Sequence, residues 1–159
     1  MVETNGRNFD LLTLGQVLLR LSPPDNERLS RGDTFVKQVG GAELNVAVGA
    51  ALLGLHTGVI SKLPAHDIGS FMKGKIRSFG VSDDFFMYDQ SSAARVGIYY
   101  YENGAYPRKP KVIYDRNHSS FFSLDIDEIP EEVYTASKCF HTTGITLALN
   151  CLLYTSDAA

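Results

Sequence analysis

The sequence predicts an α/β protein built on an open, largely parallel sheet with helices on both faces. Two mostly apolar segments, residues 9–14 and 57–63, are predicted strands of the buried kind found in parallel sheets. Apolar residues recur at helical spacing after residue 41 and again after residue 67. Strand, helix, strand, helix, strand is the order that favours a parallel sheet joined by crossover helices.

Composition and charge exclude several classes of protein. Of 159 residues, 44% are apolar and 21% charged, which is ordinary for a globular chain with one core. A formal net charge of −3 argues against a nucleic-acid partner. No apolar run approaches the roughly 18–20 residues of a membrane span. The N-terminus lacks a basic segment followed by an apolar one, so we expect a cytoplasmic protein without a membrane partner.

The first predicted strand ends at Gly15-Gln16, at the end where open α/β sheets bind ligands. Gln16 can accept hydrogen bonds from hydroxyl groups and donate to them, so it is a candidate binding residue. Residues 17–22 are predicted to continue as a strand until the Ser-Pro-Pro sequence, and residues 25–33 form a polar loop. A short alternating strand at 34–39 then leads into two glycines.

Gly40 and Gly41 precede the helix around which the chain is organised. Two missing Cβ atoms let a ligand approach the main chain, and the first-turn N–H groups would face it as free donors. Asn45 adds an amide suited to hydroxyl groups. Together they indicate recognition of a polyhydroxylated molecule; the alternative is a helix that merely follows a flexible turn. Gly54 is placed as a left-handed C-cap, and the predicted apolar face is Leu44, Ala47, Val48, Ala51, Leu52 and Leu55.

The chain beyond residue 64 alternates between further helices and strands. Asp67 is predicted to cap a second helix, closed by Gly80, whose apolar face is Ile68, Phe71, Met72, Ile76 and Phe79. Residues 85–88 are a predicted strand. Residues 94–102 and 111–116 have no helix between them, so we expect them to pair antiparallel. A helix is predicted to start at Pro130, and residues 139–144 return to the main sheet.

Tyr114 and Arg116 are two residues apart and therefore face the same side of a strand. Arg can bind a carboxylate through two parallel hydrogen bonds, while a phenol contacts a neighbouring oxygen, so the pair suits a sugar acid. The alternative for Arg116 is a surface charge. Among the tyrosines at 99–101, Tyr100 is assigned to covering the core. His141 is interpreted as a hydrogen-bonded core residue, and no histidine or cysteine has metal-ligand spacing.

The Gly-Gly-Ala-x-x-Asn-x-Ala sequence at 40–47 resembles the first signature of the ribokinase (PfkB) family of sugar kinases. Its flanks resemble the 2-keto-3-deoxygluconate kinase branch, and the resemblance covers residues 8–150. The flanking segments are 12–15, 19–24, 96–99 and 112–116. The resemblance implies a ribokinase-like fold in which strands near 17–22, 34–39, 94–102 and 111–116 form a small lid sheet over the sugar.

The resemblance also implies roles for particular residues. Tyr99 joins Tyr114 and Arg116 as a sugar-acid contact, and the backbone at Gly144 and Ile145 faces the substrate. The branch usually has an acidic residue where this chain has Gln16, which loses a charge-assisted bond. The full set of implied substrate contacts is Gln16, Gly40, Gly41, Asn45, Tyr99, Tyr114, Arg116, Gly144 and Ile145.

The family's second signature, a Gly-Ala-Gly-Asp turn that supplies the catalytic Asp and the anion hole, is absent from these 159 residues. The resemblance therefore implies no catalytic residue here, and ATP with Mg²⁺ bound mainly by a part of the protein further downstream. We expect residues 1–150 to be the N-terminal part of such a kinase, inactive alone. Residues 151–159 resemble translated sequencing-adapter DNA, which predicts a foreign tail; the alternative is a short natural tail.

Three functions remain open. The first is an ATP-dependent kinase acting on the 6-hydroxyl of 2-keto-3-deoxygluconate. The second is a related fructokinase or ribokinase-like enzyme, and the third is a non-catalytic sugar-acid-binding protein. Pairing of lid sheets between subunits, which the resemblance implies, predicts a homo-oligomer.

Overall fold

A computed structural model describes residues 8–149, and the predicted foreign tail at 151–159 lies outside this range. The strands are β1 Phe9–Leu14, β2 Leu18–Ser22, β3 Val36–Gly40, β4 Thr57–Pro64, β5 Val81–Ser82, β6 Phe86–Asp89, β7 Gly97–Glu102, β8 Lys111–Asp115 and β9 Ser137–His141. The helices are α1 Ala42–Leu52, α2 Asp67–Ser78, α3 Glu132–Thr135 and α4 Gly144–Leu149, with 3₁₀ turns at Ser120–Ser123 and Ile126–Glu128. No described helix is both long and apolar enough to span a membrane.

The large sheet is parallel and has β1 at its centre. Its order is β5-β4-β1-β9, with β6 also pairing with β4. β1 pairs with β4 and β9 in parallel register, so that Thr13 lies opposite both Val59 and His141. The two predicted buried strands, β1 and β4, are confirmed. They belong to an open, largely parallel sheet, as predicted for an α/β protein.

Apolar side chains cover both faces of the large sheet. Leu12, Leu14 and Ile60 lie on one face and pack with Phe121 and Val133 from the 3₁₀ turn and α3. The opposite face packs against α1 and α2 in a cluster that contains Leu44, Ala47, Val59, Leu63, Met72 and Ile76. The core therefore lies in two layers, as strands buried on both faces require.

Helix α1 is buried most deeply in its first half, while Val48 and Ala51 further along are partly buried against the same core. Leu44 is 2% exposed and Ala47 is fully buried, whereas Leu52 is 77% exposed. The prediction that Leu52 and Leu55 belong to the buried face was wrong. Leu52 lies about 80° around the helix from Leu44, at 100° per residue, and Leu55 follows the end of the helix. Gly54 has φ of 87°, which confirms the predicted left-handed turn.

Helix α2 begins one residue earlier than predicted, because its N-cap is residue 66 and not residue 67. The N-cap is His66, whose Nδ1 accepts a hydrogen bond from the backbone N–H of Ile68 at 3.2 Å, while Asp67 is the first helical residue. The backbone of His66 is extended, with φ of −135° and ψ of 179°, as expected of a residue at the N-cap. Phe79, assigned to the apolar face, is the C-cap and is 41% exposed, and Gly80 follows it with a positive φ.

The small sheet consists of β2, β3, β7 and β8 in the order β3-β2-β7-β8. β7 and β8 pair antiparallel, as predicted, with Tyr99 opposite Tyr114. β2 pairs antiparallel with β3 but parallel with β7, so the chain returns to the small sheet after passing through the large one. β5 and both 3₁₀ turns were not predicted, and the helix expected at Pro130 is the single turn α3.

Candidate functional site

A cavity of about 290 Å³ lies where the small sheet faces the beginnings of α1 and α4. This volume is near the lower end of the roughly 300–1,000 Å³ found for small-molecule sites. All the predicted site residues except Gly40 and Gly144 line it. The lining residues are Gln16, Leu18, Arg20, Gly41, Ala42, Glu43, Asn45, Tyr99, Tyr101, Val112, Tyr114, Arg116, Ile145, Thr146 and Leu149.

The two glycines before α1 are required by contacts within the protein as well as by access to the cavity. A Cβ at Gly40 would lie 2.5 Å from the Tyr99 hydroxyl oxygen. Gly41 has φ of 148°, and a Cβ there would lie 2.7 Å from the backbone oxygen of Gln16. Both distances are too short for a side chain. The glycines therefore let Tyr99 and the turn at Gln16 close over the start of α1.

The beginning of α1 offers donors to a ligand. Gly41 is the N-cap and has no side chain to bond the first-turn N–H groups, so these remain donors for another acceptor. Asn45, one turn further on, is exposed and lines the cavity. This is the arrangement predicted for recognition of hydroxyl groups.

Alternate residues of the small sheet present their side chains to the cavity. On β7 these are Tyr99 and Tyr101; the next strand contributes Tyr114, followed by Arg116 just beyond its end. The rings of Tyr99 and Tyr114 are tilted, with centroids 6.0 Å apart. Tyr100 instead contacts the ring of Phe35 at 5.9 Å. The shared face predicted for Tyr114 and Arg116 is thus observed.

Arg116 is partly buried and lies with its guanidinium carbon 5.3 Å from the centre of the Tyr114 ring. It forms no ion pair with any carboxylate of residues 8–149. An arginine that faces a cavity without an acidic partner can bind an anionic ligand without first breaking a salt bridge. Arg116 therefore suits the carboxylate of a sugar acid.

Burial raises the pKa of the Tyr99 hydroxyl, and the nearby Arg20 charge only partly opposes that rise. The direction of the shift keeps Tyr99 protonated at neutral pH. Its hydroxyl group can therefore both donate to and accept from a ligand oxygen.

Gln16 is 5% exposed and its Nε2 donates to Ser119 Oγ at 2.6 Å. Its Oε1 is buried without a hydrogen-bond partner among the described residues. Since Ser119 takes only one end of the amide, either orientation of the group leaves one polar atom without a protein partner. The amide of Gln16 thus lies at the cavity with one of its polar atoms bonded to Ser119.

Glu43 is a buried carboxylate that the sequence analysis did not select. It is 3% exposed, and its Oε1 accepts hydrogen bonds from the Thr143 backbone N–H at 3.2 Å, from the Thr143 hydroxyl and from the Thr146 hydroxyl at 2.6 Å. It therefore fixes the turn before α4 against the start of α1. An acidic residue in a first helical turn is common, so its sequence position alone did not distinguish it.

This turn carries the predicted contacts Gly144 and Ile145. Ile145 lines the cavity and is 52% exposed. Gly144 begins α4, and a Cβ there would meet nothing within 4 Å, so packing does not require a glycine at this position. The structure places the turn beside the cavity through Glu43 and through the Thr142 hydroxyl, which donates to the Leu14 backbone oxygen at 3.0 Å.

Arg20 and Tyr101 also line the cavity and were not selected from the sequence. The Arg20 guanidinium carbon lies 4.5 Å from the centre of the Tyr101 ring, and its Nε donates to Ser22 Oγ at 3.0 Å. Period-two alternation could have identified Tyr101, because it shares a strand face with Tyr99, whereas Arg20 reaches the cavity through the pairing of β2 with β7. The pairing of β2 with β7 could not be inferred from that pattern.

The histidine prediction needs correction. His141 is partly exposed, and its Nε2 is buried without a hydrogen-bond partner among the described residues. It is the last residue of β9, directly before the turn that leads to α4. Within residues 8–149, no three His, Cys, Asp or Glu side chains form a potential metal site.

Named relatives of this chain are sugar-acid kinases. It is 37% identical over 141 residues to the 2-dehydro-3-deoxygalactonokinase of Haloferax volcanii, covering 89% of this chain and 43% of that protein. It is 30% identical over 149 residues to the 5-dehydro-2-deoxygluconokinase 1 of Bacillus cereus, covering 93% and 44%. The chain thus spans less than half the length of these curated relatives.

The fold has a solved counterpart in the 2-dehydro-3-deoxygluconokinase of Thermotoga maritima, with a TM-score of 0.85 and 36% identity. That match covers 92% of this chain and 45% of the solved one. The sequence model described as pfkB family carbohydrate kinase matches residues 8–157, a range that runs past residue 150 into the segment predicted to be foreign. The chain belongs to the pfkB family of carbohydrate kinases.

Proposed function

We propose that the protein containing this chain transfers the γ-phosphate of ATP to the 6-hydroxyl of 2-keto-3-deoxygluconate. The observation that carries this proposal is Arg116, a guanidinium without an acidic partner among the described residues, beside Tyr114 in a cavity. The names of the relatives from Haloferax volcanii and Thermotoga maritima support a keto-deoxy sugar acid.

Within the cavity, Arg116 and Tyr114 bind the carboxylate of the sugar acid. The N–H groups at the start of α1 and the amide of Asn45 bind its hydroxyl groups. Tyr99, which stays protonated, bonds a further oxygen, and Gln16 offers the amide atom that Ser119 does not use. The backbone of Gly144 and Ile145 closes the opposite side. These contacts orient the sugar acid and do not by themselves break or form a bond.

ATP and Mg²⁺ belong to the part of the proposed enzyme that this chain does not span. Phosphoryl transfer needs a base for the attacking hydroxyl and positive charge around the phosphates. In this proposal residues 8–149 bind and orient the acceptor, and they are inactive alone.

We also propose that the protein forms a homo-oligomer. Exposed apolar residues of the small sheet, among them Val36, Val112 and Ile113, support its pairing with a second copy of the protein. The cytoplasmic location stays a prediction from the sequence.

A second candidate substrate is 2-keto-3-deoxygalactonate, the epimer named in the Haloferax volcanii relative. Both epimers carry the carboxylate that Arg116 would bind, so this residue does not distinguish them. Contacts to the hydroxyl groups, from Asn45 and Gln16, are where the two substrates would differ.

The first experiment is to read the source DNA through codon 150 and to express the complete protein. We then measure ATP-dependent phosphorylation of both keto-deoxy acids, of D-fructose and of D-ribose. We expect the acids to be used and Arg116→Ala to lower kcat/KM for them by roughly 10- to 150-fold, the equivalent of about 1.5–3 kcal/mol for hydrogen bonds to a charged group.

Arg95→Ala is the matched control, because the Arg95 guanidinium pairs with Asp115 at 2.8 Å and does not line the cavity. It should leave kcat/KM nearly unchanged. A complete protein that prefers a neutral sugar would favour the fructokinase or ribokinase-like alternative. A protein that binds the acid but never transfers phosphate would favour the non-catalytic one.

A further inference from the structure

The cavity contains a second guanidinium group besides Arg116. Arg20 reaches it from β2, and neither arginine pairs with a carboxylate of the described residues. The acidic residue on the lining is Glu43, whose Oε1 already accepts three hydrogen bonds from Thr143 and Thr146. Two positive charges thus face one cavity, and its one lining carboxylate is bound to the α4 turn.

The two arginines belong to different strands of the small sheet and lie at different positions along the strand direction. Arg20 lies opposite Tyr99, which in turn lies opposite Tyr114 on the far strand. Arg116 lies two residues beyond Tyr114, beside Gly97, where an added Cβ would be 3.1 Å from the Arg116 Cβ. Their strands are two spacings apart, about 10 Å at roughly 4.8 Å per strand. The two side chains therefore approach a ligand from two directions.

Arg20 is held in place before any ligand binds. Its guanidinium stacks on the Tyr101 ring, and the hydrogen bond to Ser22 uses Nε rather than the terminal nitrogens. A guanidinium fixed by a ring and a hydroxyl group loses less conformational entropy on binding than a free one. Its charge also acts on the Tyr99 hydroxyl, where it opposes the effect of burial.

We propose that Arg20 is a second anion-recognising residue, which makes the cavity select the ionised sugar acid over an uncharged sugar of the same skeleton. The inference rests on the proposed function and adds a specificity-determining residue to it. Because the interaction of two charges extends over several ångströms in a partly buried site, Arg20 contributes to this selection together with Arg116.

The test compares 2-keto-3-deoxygluconate with its methyl ester, which keeps the hydroxyl groups and removes the charge. In the complete protein, Arg20→Gln should lower the ratio of kcat/KM for acid over ester by about tenfold, the lower end of the effect of a charged hydrogen bond, and Arg20→Met should do the same. Arg20→Lys, which keeps the charge, should retain most of the ratio. Lys111→Gln is the control, since Lys111 is an exposed cation of the same sheet outside the cavity lining.

A purely structural role for Arg20 would lower kcat/KM for acid and ester equally and leave the ratio unchanged, and that result would overturn the inference. An equal fall of the ratio in Lys111→Gln would also overturn it, because the effect would then be one of general charge. A wild-type protein that phosphorylates neither keto-deoxy acid would overturn the proposed function, and this inference with it. Normal wild-type activity with an unchanged ratio in the Arg20 variants would remove this inference alone.

Discussion

The two sheets of this protein differ in how deeply their side chains are buried. In the large sheet, β4 is buried along its length except at Lys62, whereas every residue of β8 in the small sheet is exposed. Apolar contacts on both faces fix the strands of the large sheet. The small sheet turns one face toward the cavity and presents tyrosine and arginine side chains there.

This difference in burial predicts that the large sheet chiefly stabilises the fold and that the cavity face of the small sheet chiefly contacts a ligand. Side chains of the large sheet gain free energy by leaving water, which scales with the apolar area that they bury. Cavity-facing side chains of the small sheet stay partly hydrated and can bind a ligand. Substitutions in the large sheet should therefore change the free energy of unfolding, and those on the cavity face should change affinity and specificity.

The largest effect is expected from a large-sheet side chain. Ile60 on β4 is fully buried, so Ile60→Ala should lower the free energy of unfolding by about 2–5 kcal/mol. Ile113→Ala is the matched control on β8, where the side chain is 44% exposed, and it should cost less than about 1 kcal/mol. Urea denaturation of the complete protein measures both. Equal costs would show that the two sheets contribute alike to stability.

An intermediate effect is expected at Glu43, where the two sheets and the α4 turn meet. Glu43→Ala removes the acceptor of three hydrogen bonds and leaves Thr143 and Thr146 without it, which should cost about 1–3 kcal/mol of unfolding free energy. Substrate affinity should fall as well, because the turn that carries Ile145 loses its anchor.

Asp67→Ala serves as the control for Glu43→Ala. Asp67 is also an acidic first-turn residue, but it is exposed and belongs to α2. Its loss should cost about 0.3–1 kcal/mol, the usual effect of a charge near a helix end, and should leave substrate KM unchanged. If both variants lost the same stability and kept the same KM, Glu43 would be an ordinary helix-start residue.

The smallest effect concerns the ion pair between Asp10, near the start of β1, and Lys138 on β9. Hydrogen bonds from Lys138 and then from the His56 backbone N–H hold the pKa of Asp10 below its ordinary value of 3.8. Since the pKa is lower in the folded protein, the stabilisation is present above that ordinary value and is lost as the pH falls through the folded pKa.

The urea midpoint of the wild-type protein should therefore fall between pH 7 and pH 3 by slightly more than that of Asp10→Asn. Other carboxylates contribute to the fall in both proteins, so the difference between the two is the quantity to compare. Identical falls would mean that the contact of Asp10 with Lys138 adds no measurable stability.

Local pattern was enough to predict most elements of the fold. The apolar runs of β1 and β4, the glycines before α1 and the left-handed turn at Gly54 each depend on residues close together in sequence. The shared face of Tyr114 and Arg116 follows in the same way from the alternation of one strand. Errors arose where a helix ended, as at Leu52, or where the cap was one residue away, as at His66.

The tertiary structure alone decided which side chains meet at the cavity. Gln16 bonds Ser119 and Glu43 bonds Thr146 across 103 residues in each case, and Arg20 faces Tyr99 only because β2 pairs with β7. Periodicity states which face a side chain occupies but not which distant element covers that face. The sequence by itself therefore determined the family, most of the strands and the glycine turn before α1, whereas chain topology decided the positions of the buried carboxylate and of Arg20, because long-range pairing leaves no local pattern.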